Sequence, residues 1–430
     1  MKDIYQTFKN NLLEKGFTQY TVALSGGVDS VVLLHLAKRL HDEFNHIELK
    51  AVHVNHGLSD NASDWQTFCE NLCQSWNIPF EASEVSLHLS PRQSLEAIAR
   101  DARYQAIKYS MLPNSCLLVG QHLDDQVETF FIRLKRGAGL LGLGAIKHES
   151  VNDMGITVFR PLLAVSRNDI EHYATHFALE HITDESNADD KFDRNYLRNY
   201  VLPQLNARFE GFSRTVYRVT QLLQSQQQLL DEYSAEDAKQ CIVEDRLLLD
   251  KLSSFSRVRI ENLMRFWLQS QQLQFPSQKV LNQIREQGLH AKADAQVQIN
   301  CGDFAVCRYQ SALYVVYPKA VPTDIPPFSV TQSNSAGCKF KVIEAAHGIR
   351  LPTQDEMVNV RFNIGSEKLT LKKRNCTKSV NTWLKEAGIP PWQRPHFAGI
   401  FYNDKLVQVI GLGIDKSAYS ENGVLWIEKE

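Results

Sequence analysis

The chain lacks any uninterrupted apolar run near the ~18 residues that a membrane span needs. From Met1 to Gly16, charged and apolar side chains alternate without a signal-peptide core or small-residue cleavage site, so a cytosolic location is expected. It also lacks C-x-x-C. The nearest of its eight cysteines, Cys69/Cys73 and Cys301/Cys307, fit no common structural-zinc spacing, and reduced thiols are expected. Net charge is only −2, from 47 basic and 49 acidic side chains, so any nucleic-acid surface must come from local clustering. The absence of G-x-x-x-x-G-K-[ST] argues against Walker-type transfer of a terminal phosphate. His172 and His176 stand at i, i+4 but lack the glutamate of H-E-x-x-H. There is no internal repeat.

What the chain does have is ordinary globular composition, 43% hydrophobic and 22% charged, and 430 residues, enough for two to four domains. Short β-rich runs at 21–24, 49–54, 81–85 and 116–120 alternate with helical patterns at 31–40, 62–76, 94–111 and 124–134. That alternation predicts an α/β domain with a parallel sheet over residues 1–212. After Gly211, apolar residues at helical spacing (Val216, Val219, Leu223, Leu230, Tyr233) predict one long helix, followed by a mostly helical unit over 213–318. Its core helix is expected over 256–269, with Val258, Leu263, Phe266 and Trp267 inside, and a β segment over 296–317. Pro318, Pro322, Pro326 and Pro327 with a Ser/Asn cluster predict a linker over 319–337. A small α+β unit is expected over 338–430, with strands at 397–402, 406–412 and 424–427 around a helix at 379–387.

The strongest motif is Ser25-Gly26-Gly27-Val28-Asp29-Ser30, placed between the first strand and its helix. At such a turn the free N–H groups of the helix bind an oxyanion without any lysine, and glycines let the backbone approach a phosphate closely. Ser25 and Ser30 add hydroxyl donors, and Asp29 can hold Mg²⁺ or orient the loop. A serine-capped helix after a glycine turn is the bland alternative. A G-x-G-x-x-G at Gly137, Gly139 and Gly142 follows a helix where a dinucleotide site needs a strand, so it is set aside.

The second motif, Gln121-His122-Leu123-Asp124-Asp125-Gln126-Val127-Glu128-Thr129, begins where the 116–120 strand ends, at the same carboxyl edge. On a helix, His122, Asp125 and Glu128 converge, and Asp124 stacks on Glu128 at i+4; a solvated acidic helix start is the alternative. Arginines recur at Arg100 and Arg103, at Arg160, and at Arg194 and Arg198, where planar guanidinium groups suit phosphate clamping or pair with nearby acids. Lys191, Arg194, Arg198, Arg208, Arg214 and Arg218 form one basic cluster; Lys368, Lys372, Lys373, Arg374 and Lys378 form another. Such clusters grip phosphate backbones, although one alone is usually a solvated face. His53 and His56 read equally as site lining or as strand-end histidines, and Trp392 as a core residue or a stacking surface for RNA.

S-G-G-x-D-S after a first strand resembles the PP-loop, or N-type ATP pyrophosphatase, superfamily, whose members place AMP from ATP on a substrate oxygen. The 121–129 string resembles the H-H-x-D-D-x-x-E-T motif of the lysidine synthetases, with Gln121 where that family commonly has its first histidine. The segments 96–104, 160–163 and 194–198 are similar to the same family. Gly388-Ile389-Pro390-Pro391-Trp392-Gln393-Arg394 resembles the carboxy-terminal domain of its longer bacterial members. The resemblance implies ATP and Mg²⁺ as cofactors, an isoleucine tRNA with a CAU anticodon and free lysine as partners, and no membrane. The wobble cytosine oxygen would attack the α-phosphate, and the lysine amine would then displace AMP. Ser25, Gly26, Gly27, Val28, Asp29 and Ser30 would bind ATP; Asp29, His122, Asp125 and Arg194 would be catalytic, with Asp29 the metal ligand. Arg100, Arg103, Glu128, Arg198, Lys372, Lys373 and Arg374 would hold substrate. A cytidine thiolase of the same fold is the rival reading. Oligomeric state is open, a homodimer being one option.

Overall fold

The computed structural model describes residues 4–55, 61–85, 95–183, 191–273, 276–291, 295, 297–328, 340–372 and 376–428. The side chains of residues 95–97 and 99, on a described helix, lie outside it, as do His56, Lys373, Arg374 and residues 329–337 of the expected linker. Contacts divide the chain into two compact units, Met1–Asp231 and Glu232–Glu430.

In the first unit, α1 (Ile4–Leu13) precedes β1 (Gln19–Ala23), α2 (Val28–Glu43), β2 (Glu48–Asn55), α3 (Ala62–Ser75), β3 (Phe80–Glu84), α4 (Leu95–Ser110) and β4 (Cys116–Leu118). Then come α5 (Leu123–Lys135), the short α6 (Leu140–Leu143), the hairpin β5 (Glu149–Val151) and β6 (Thr157–Phe159), and α7 (Arg167–His176). The sheet order is β3-β2-β1-β4-β6-β5, parallel except for β5 against β6. Strands buried on both faces read as continuous apolar runs, as in Tyr20, Val22, Leu117 and Leu118. The first half of α2 is apolar nearly all round, with Val31, Val32, Leu33, Leu34 and Leu36 fully buried, because sheet and neighbouring helices enclose it, while Lys38, Asp42 and Glu43 mark its outer end. Each such side chain contributes about 1.5–3 kcal/mol.

The strand order reverses between β1 and β4. Chain leaving β1 turns one way and chain leaving β4 the other, which opens a crevice at their carboxyl ends, where α/β folds bind ligands. Both sequence motifs start there. The unit closes with α8 (Asp193–Tyr196), a π-helical turn (Leu197–Val201), α9 (Leu202–Arg208) and α10 (Phe212–Cys241), whose 30 residues run across the boundary between the units.

In the second unit, β7 (Ile242–Val243), β8 (Arg246–Leu248), α11 (Arg257–Ser270), α12 (Gln278–His290), β9 (Gln298–Asn300), β10 (Ala305–Tyr309) and β11 (Ala312–Val316) enclose a core around Trp267, Leu263, Met264 and Ile284. Val258 was expected inside this core but is 74% exposed. The buried stripe of α11 is Ile260, Leu263, Met264, Trp267 and Leu268, and Val258 falls off that 3.6-residue period. The remaining chain forms a sheet of Ile325–Phe328, Val358–Arg361, Gly399–Tyr402, Lys405–Val409 and Gly413–Ile414. The long strands Phe340–Ile349 and Tyr419–Glu428 pair separately, and one helix spans Val380–Glu386. Trp392 is half-buried and packs edge-on against Tyr309 and Tyr314, at 6.2 and 5.2 Å between ring centroids. Its faces are thus partly committed to protein.

Candidate active site

The 25–30 loop is held open by its own side chains. Ser30, buried on the first turn of α2, donates its hydroxyl to the Gly27 carbonyl (2.9 Å) and accepts from the Ser25 amide (3.2 Å) and hydroxyl (3.1 Å). Gly26 has φ +89°, where L side chains strain. A Cβ there would also sit 2.5 Å from Ile182 Cδ1, because Ile182 N–H donates to the Gly26 carbonyl (2.9 Å) and bridges alongside the loop. Gly27 caps α2 with no side-chain hydrogen bond, so the N-terminal N–H groups at Val28 and Asp29 carry no such cap. Gly120 brings the end of β4 against the same turn. A Cβ on it would stand 3.1 Å from the Asp29 backbone.

Across the crevice, His122 is the N-cap of α5: its Nδ1 accepts from Asp124 N–H (3.2 Å), and Asp125 Oδ2 accepts from His122 N–H (3.1 Å). This reciprocal box satisfies two otherwise orphaned N–H groups and fixes the buried imidazole. His122 Nε2 then lies 3.5 Å from both Asp29 Oδ1 and Asp125 Oδ2. Burial opposes charge on the ring, but Asp124, Asp125 and Asp29 outweigh it and hold the His122 pKa above its ordinary value. Protonation would make Nδ1 a donor, exchanging the cap bond for one to the Asp124 carboxylate 3.6 Å away. Burial raises the Asp29 carboxyl, with His122 and Arg167 opposing.

Three arginines close the cluster. Arg198 forks onto the fully buried Glu128 (Nε–Oε1 2.7 Å, Nη2–Oε2 3.1 Å) and reaches Asp125 Oδ1 at 3.3 Å. Arg194, one turn earlier, is held more loosely, by Thr129 Oγ1 (3.3 Å) and Glu128 Oε2 (3.5 Å). Arg167 Nη1 donates to Asp29 Oδ2 (2.7 Å), its backbone N–H to Asp124 Oδ2 (2.8 Å), and its Nε to Glu171 (2.7 Å). Asp29 Oδ1 is left buried without a hydrogen-bond partner.

A PP-loop domain model matches residues 1–205, a TilS substrate binding domain model 247–314, and a TilS substrate C-terminal domain model 358–426. The tRNA(Ile)-lysidine synthase of Haemophilus influenzae (strain PittGG) is 35% identical, covering 95% of this chain and 98% of the relative. That of Shigella flexneri is 37% identical, covering 95% and 96%. The chain belongs to the tRNA(Ile)-lysidine synthase family.

In this member of the family the structure brings Ser25, Gly26, Gly27, Val28, Asp29 and Ser30 into one turn. It joins Asp29, His122, Asp125, Glu128, Arg194 and Arg198 in one network of acids and bases. Arg100 and Arg103 stand exposed on α4, Arg100 over the Tyr104 ring at 5.3 Å. Lys372 lies over the Tyr419 ring, and Lys378 pairs with Glu386, so part of the second basic run is engaged within the protein. Arg160, grouped with the clamping arginines on sequence, is instead buried: it donates to Gln121 Oε1 (2.6 Å), Lys147 O (3.0 Å) and Ser150 Oγ (3.0 Å). Gln121 thereby ties the end of β4 to the end of β6. His53 is buried and its Nδ1 meets the Leu24 carbonyl (2.9 Å), locking β2 to the root of the loop. Sequence reasoning missed Arg167 and Gly120. Arg167 had no motif around it beyond the Ser166 cap of α7, and the role of Gly120 depends on a backbone approach across the sheet.

Proposed function

We propose that this chain ligates free lysine to the wobble cytidine of an isoleucine tRNA with a CAU anticodon, consuming ATP and releasing AMP and pyrophosphate through an adenylated cytidine. Family membership over nearly the whole chain supports the ligase reading, and the observation that carries it to this site is the uncapped glycine turn facing the His122–Asp125–Glu128 helix across the crevice.

In the first step the N–H groups at Val28 and Asp29 with Ser25 and Ser30 hold the leaving phosphates, and Arg194 steadies charge at the reacting phosphorus. With two loose partners and five N–H donors, Arg194 has donors to spare. Asp29 Oδ1, buried and without a hydrogen bond although His122 Nε2 lies 3.5 Å away, fits one ligand of Mg²⁺, which binds through one or two carboxylates and substrate phosphates. When bound, that ion supplies neutralising charge to the phosphates. In the second step Asp125, beside His122, binds the lysine ammonium or takes its proton. Assistance is needed because, at a pKa near 10.4, roughly one amine in a few thousand is neutral at pH 7. Glu128 and Arg198 keep that carboxylate in place. Residues 213–318 and 338–430 are proposed as tRNA-holding domains, together with Arg100, Arg103, Lys372, Lys373 and Arg374. A cytosolic location is part of the same reading; among the described residues no helix is long and apolar enough to cross a membrane.

A cytidine thiolase is disfavoured by the sulfur chemistry: Cys69, Cys73 and Cys116 are buried, with their thiol pKa values pushed up to about 12 by burial, and no C-x-x-C is present. The test is incubation with labelled lysine, ATP and an unmodified isoleucine tRNA transcript. Label in the RNA with one AMP per lysine is expected; ADP in place of AMP, or RNA without label, would end the proposal.

A further inference from the structure

The helical stretch that carries Arg194 and Arg198 also exposes aromatic rings. Phe192, Tyr196, Tyr200 and Phe209 are 62%, 52%, 49% and 52% exposed, although large apolar surface is normally withdrawn from water. Tyr196 and Tyr200 are four residues apart, the spacing that keeps side chains on one side of a helix, and Phe192 is the extended residue that caps the start of this stretch. The Tyr196 and Tyr200 rings lie 5.5 Å apart and tilted by 32°, and the π-helical turn at Leu197–Val201 starts directly after Tyr196 and contains Tyr200. Such turns are uncommon inside helices and often mark functional places.

The placement relative to the reacting groups is specific. Arg194 and Arg198 point from this stretch onto Glu128 and Thr129 of α5. Tyr196 lines a recess of about 310 Å³ with Phe131, Ile132, Lys135, Asp193 and Leu197. Ile132 is one helical turn beyond Glu128, about 5–6 Å along the axis. The exposed cations Lys191, Arg208, Arg214 and Arg218 flank the aromatic row in sequence, and Arg208 lies over the Phe209 ring at 5.5 Å. Of the nearby acids, Asp193 is paired with Lys135 at 2.7 Å. Aromatic faces among cations, beside a centre that must receive one base, match the surface by which proteins hold unpaired nucleotides: bases stack on rings while guanidinium and ammonium groups follow the phosphates.

We infer that Tyr196 and Tyr200 form a stacking platform for the unpaired bases next to the reacting cytidine, holding the loop open so that the cytosine reaches the carboxylate cluster. The inference rests on the function proposed above, since it takes single-stranded loop RNA as the occupant.

The test uses the full chain and a short stem-loop RNA with CAU in its loop and 2-aminopurine in place of the adenine. Binding to the wild-type chain quenches the fluorescence by stacking. Tyr196→Leu and Tyr200→Leu abolish much of the quenching and weaken binding by about 5- to 100-fold each, whereas Tyr196→Phe and Tyr200→Phe retain both, because the ring face remains. The phenylalanine variants also control for folding. Wild-type affinity and quenching in the leucine variants would overturn the platform. So would unchanged RNA binding accompanied by a shifted monomer–dimer balance, which would make the face a contact between copies of the chain. If the wild-type chain attaches no lysine to tRNA, the function itself fails; if it attaches lysine while the leucine variants bind RNA normally, only the platform fails.

Discussion

The two walls of the crevice are built on different principles. The 25–30 wall is mainly backbone: six consecutive residues, two of them glycines, form one strand-to-helix turn that leaves the N–H groups at Val28 and Asp29 without a side-chain cap. The facing wall is side chain: His122, Asp125 and Glu128 on α5 meet Arg167 from α7 and Arg194 and Arg198 from the irregular stretch before α9. A backbone wall tolerates little change in shape and binds an anion without a cationic side chain, which suits an anion held the same way in every turnover. A side-chain wall of paired charges can exchange partners, which suits an amine that arrives as a cation and must leave its proton behind.

The sharpest way to break this contrast is at Asp125. Asp125→Asn keeps an acceptor for the His122 N–H and so preserves the helix cap, but it removes the charge. Lysine incorporation should fall by about 10²–10⁴, while ATP binding stays near wild type. Normal incorporation would strip Asp125 of its assigned part.

The second largest effect concerns the network itself. Glu128 is fully buried, and Arg198→Met would leave it with only Arg194 at 3.5 Å, costing on the order of 3–5 kcal/mol of stability. Arg198→Met combined with Glu128→Gln should recover much of that loss, because no uncompensated charge remains. Denaturant titration of the two variants decides it; equal stability in both would mean the pair is not coupled.

On the backbone wall, Gly26→Ala meets both a left-handed φ and the Ile182 side chain, while Gly27→Ala meets nothing closer than Ser25 Oγ at 3.7 Å. The first should lose about 1–3 kcal/mol of stability and most ATP-dependent AMP formation. Gly27→Ala should keep its melting temperature and lose only ATP affinity. Indistinguishable melting curves for the two glycine variants would contradict this division.

How far the walls were legible follows from the same difference. The phosphate loop could be read because its chemistry is local: a glycine pair between an apolar strand and an apolar helix has few other uses. The α5 motif was legible as far as helical spacing reaches, which placed His122, Asp125 and Glu128 together. Arg194 and Arg198 were found as a pattern, but their grip on Glu128 depends on a fold that joins residues 70 apart. Arg167 was invisible, since an arginine on an amphipathic helix is ordinary until the chain packs. Arg160 was misread for the converse reason: its guanidinium looks like a clamp in sequence, and only its burial against Gln121 and the Lys147 carbonyl reveals a strut. Val258 was placed inside by hydrophobicity alone, against the period that the rest of α11 obeys.

The smallest expected effect lies behind the crevice, in the packing of α2 on α7, which holds Asp29 within reach of Arg167. His35 of α2 meets the Tyr173 hydroxyl of α7 through Nδ1 (2.9 Å) and touches the Trp76 and Phe177 rings. Burial, helped by Arg39 and Lys38, pushes its pKa down to about 4 from the ordinary 6.5. Above pH 6.5 the ring is neutral in both folded and unfolded chains and favours neither. Between 6.5 and 4 the unfolded chain takes up a proton that the folded chain refuses, so stability falls as pH drops, and the loss levels off below about 4. Unfolding free energy measured from pH 7.5 to 4 should therefore decline less steeply in His35→Gln than in the wild-type chain. Parallel curves would show that His35 accepts its proton in place, and the α2–α7 contact would then be more open to water than its ring packing indicates.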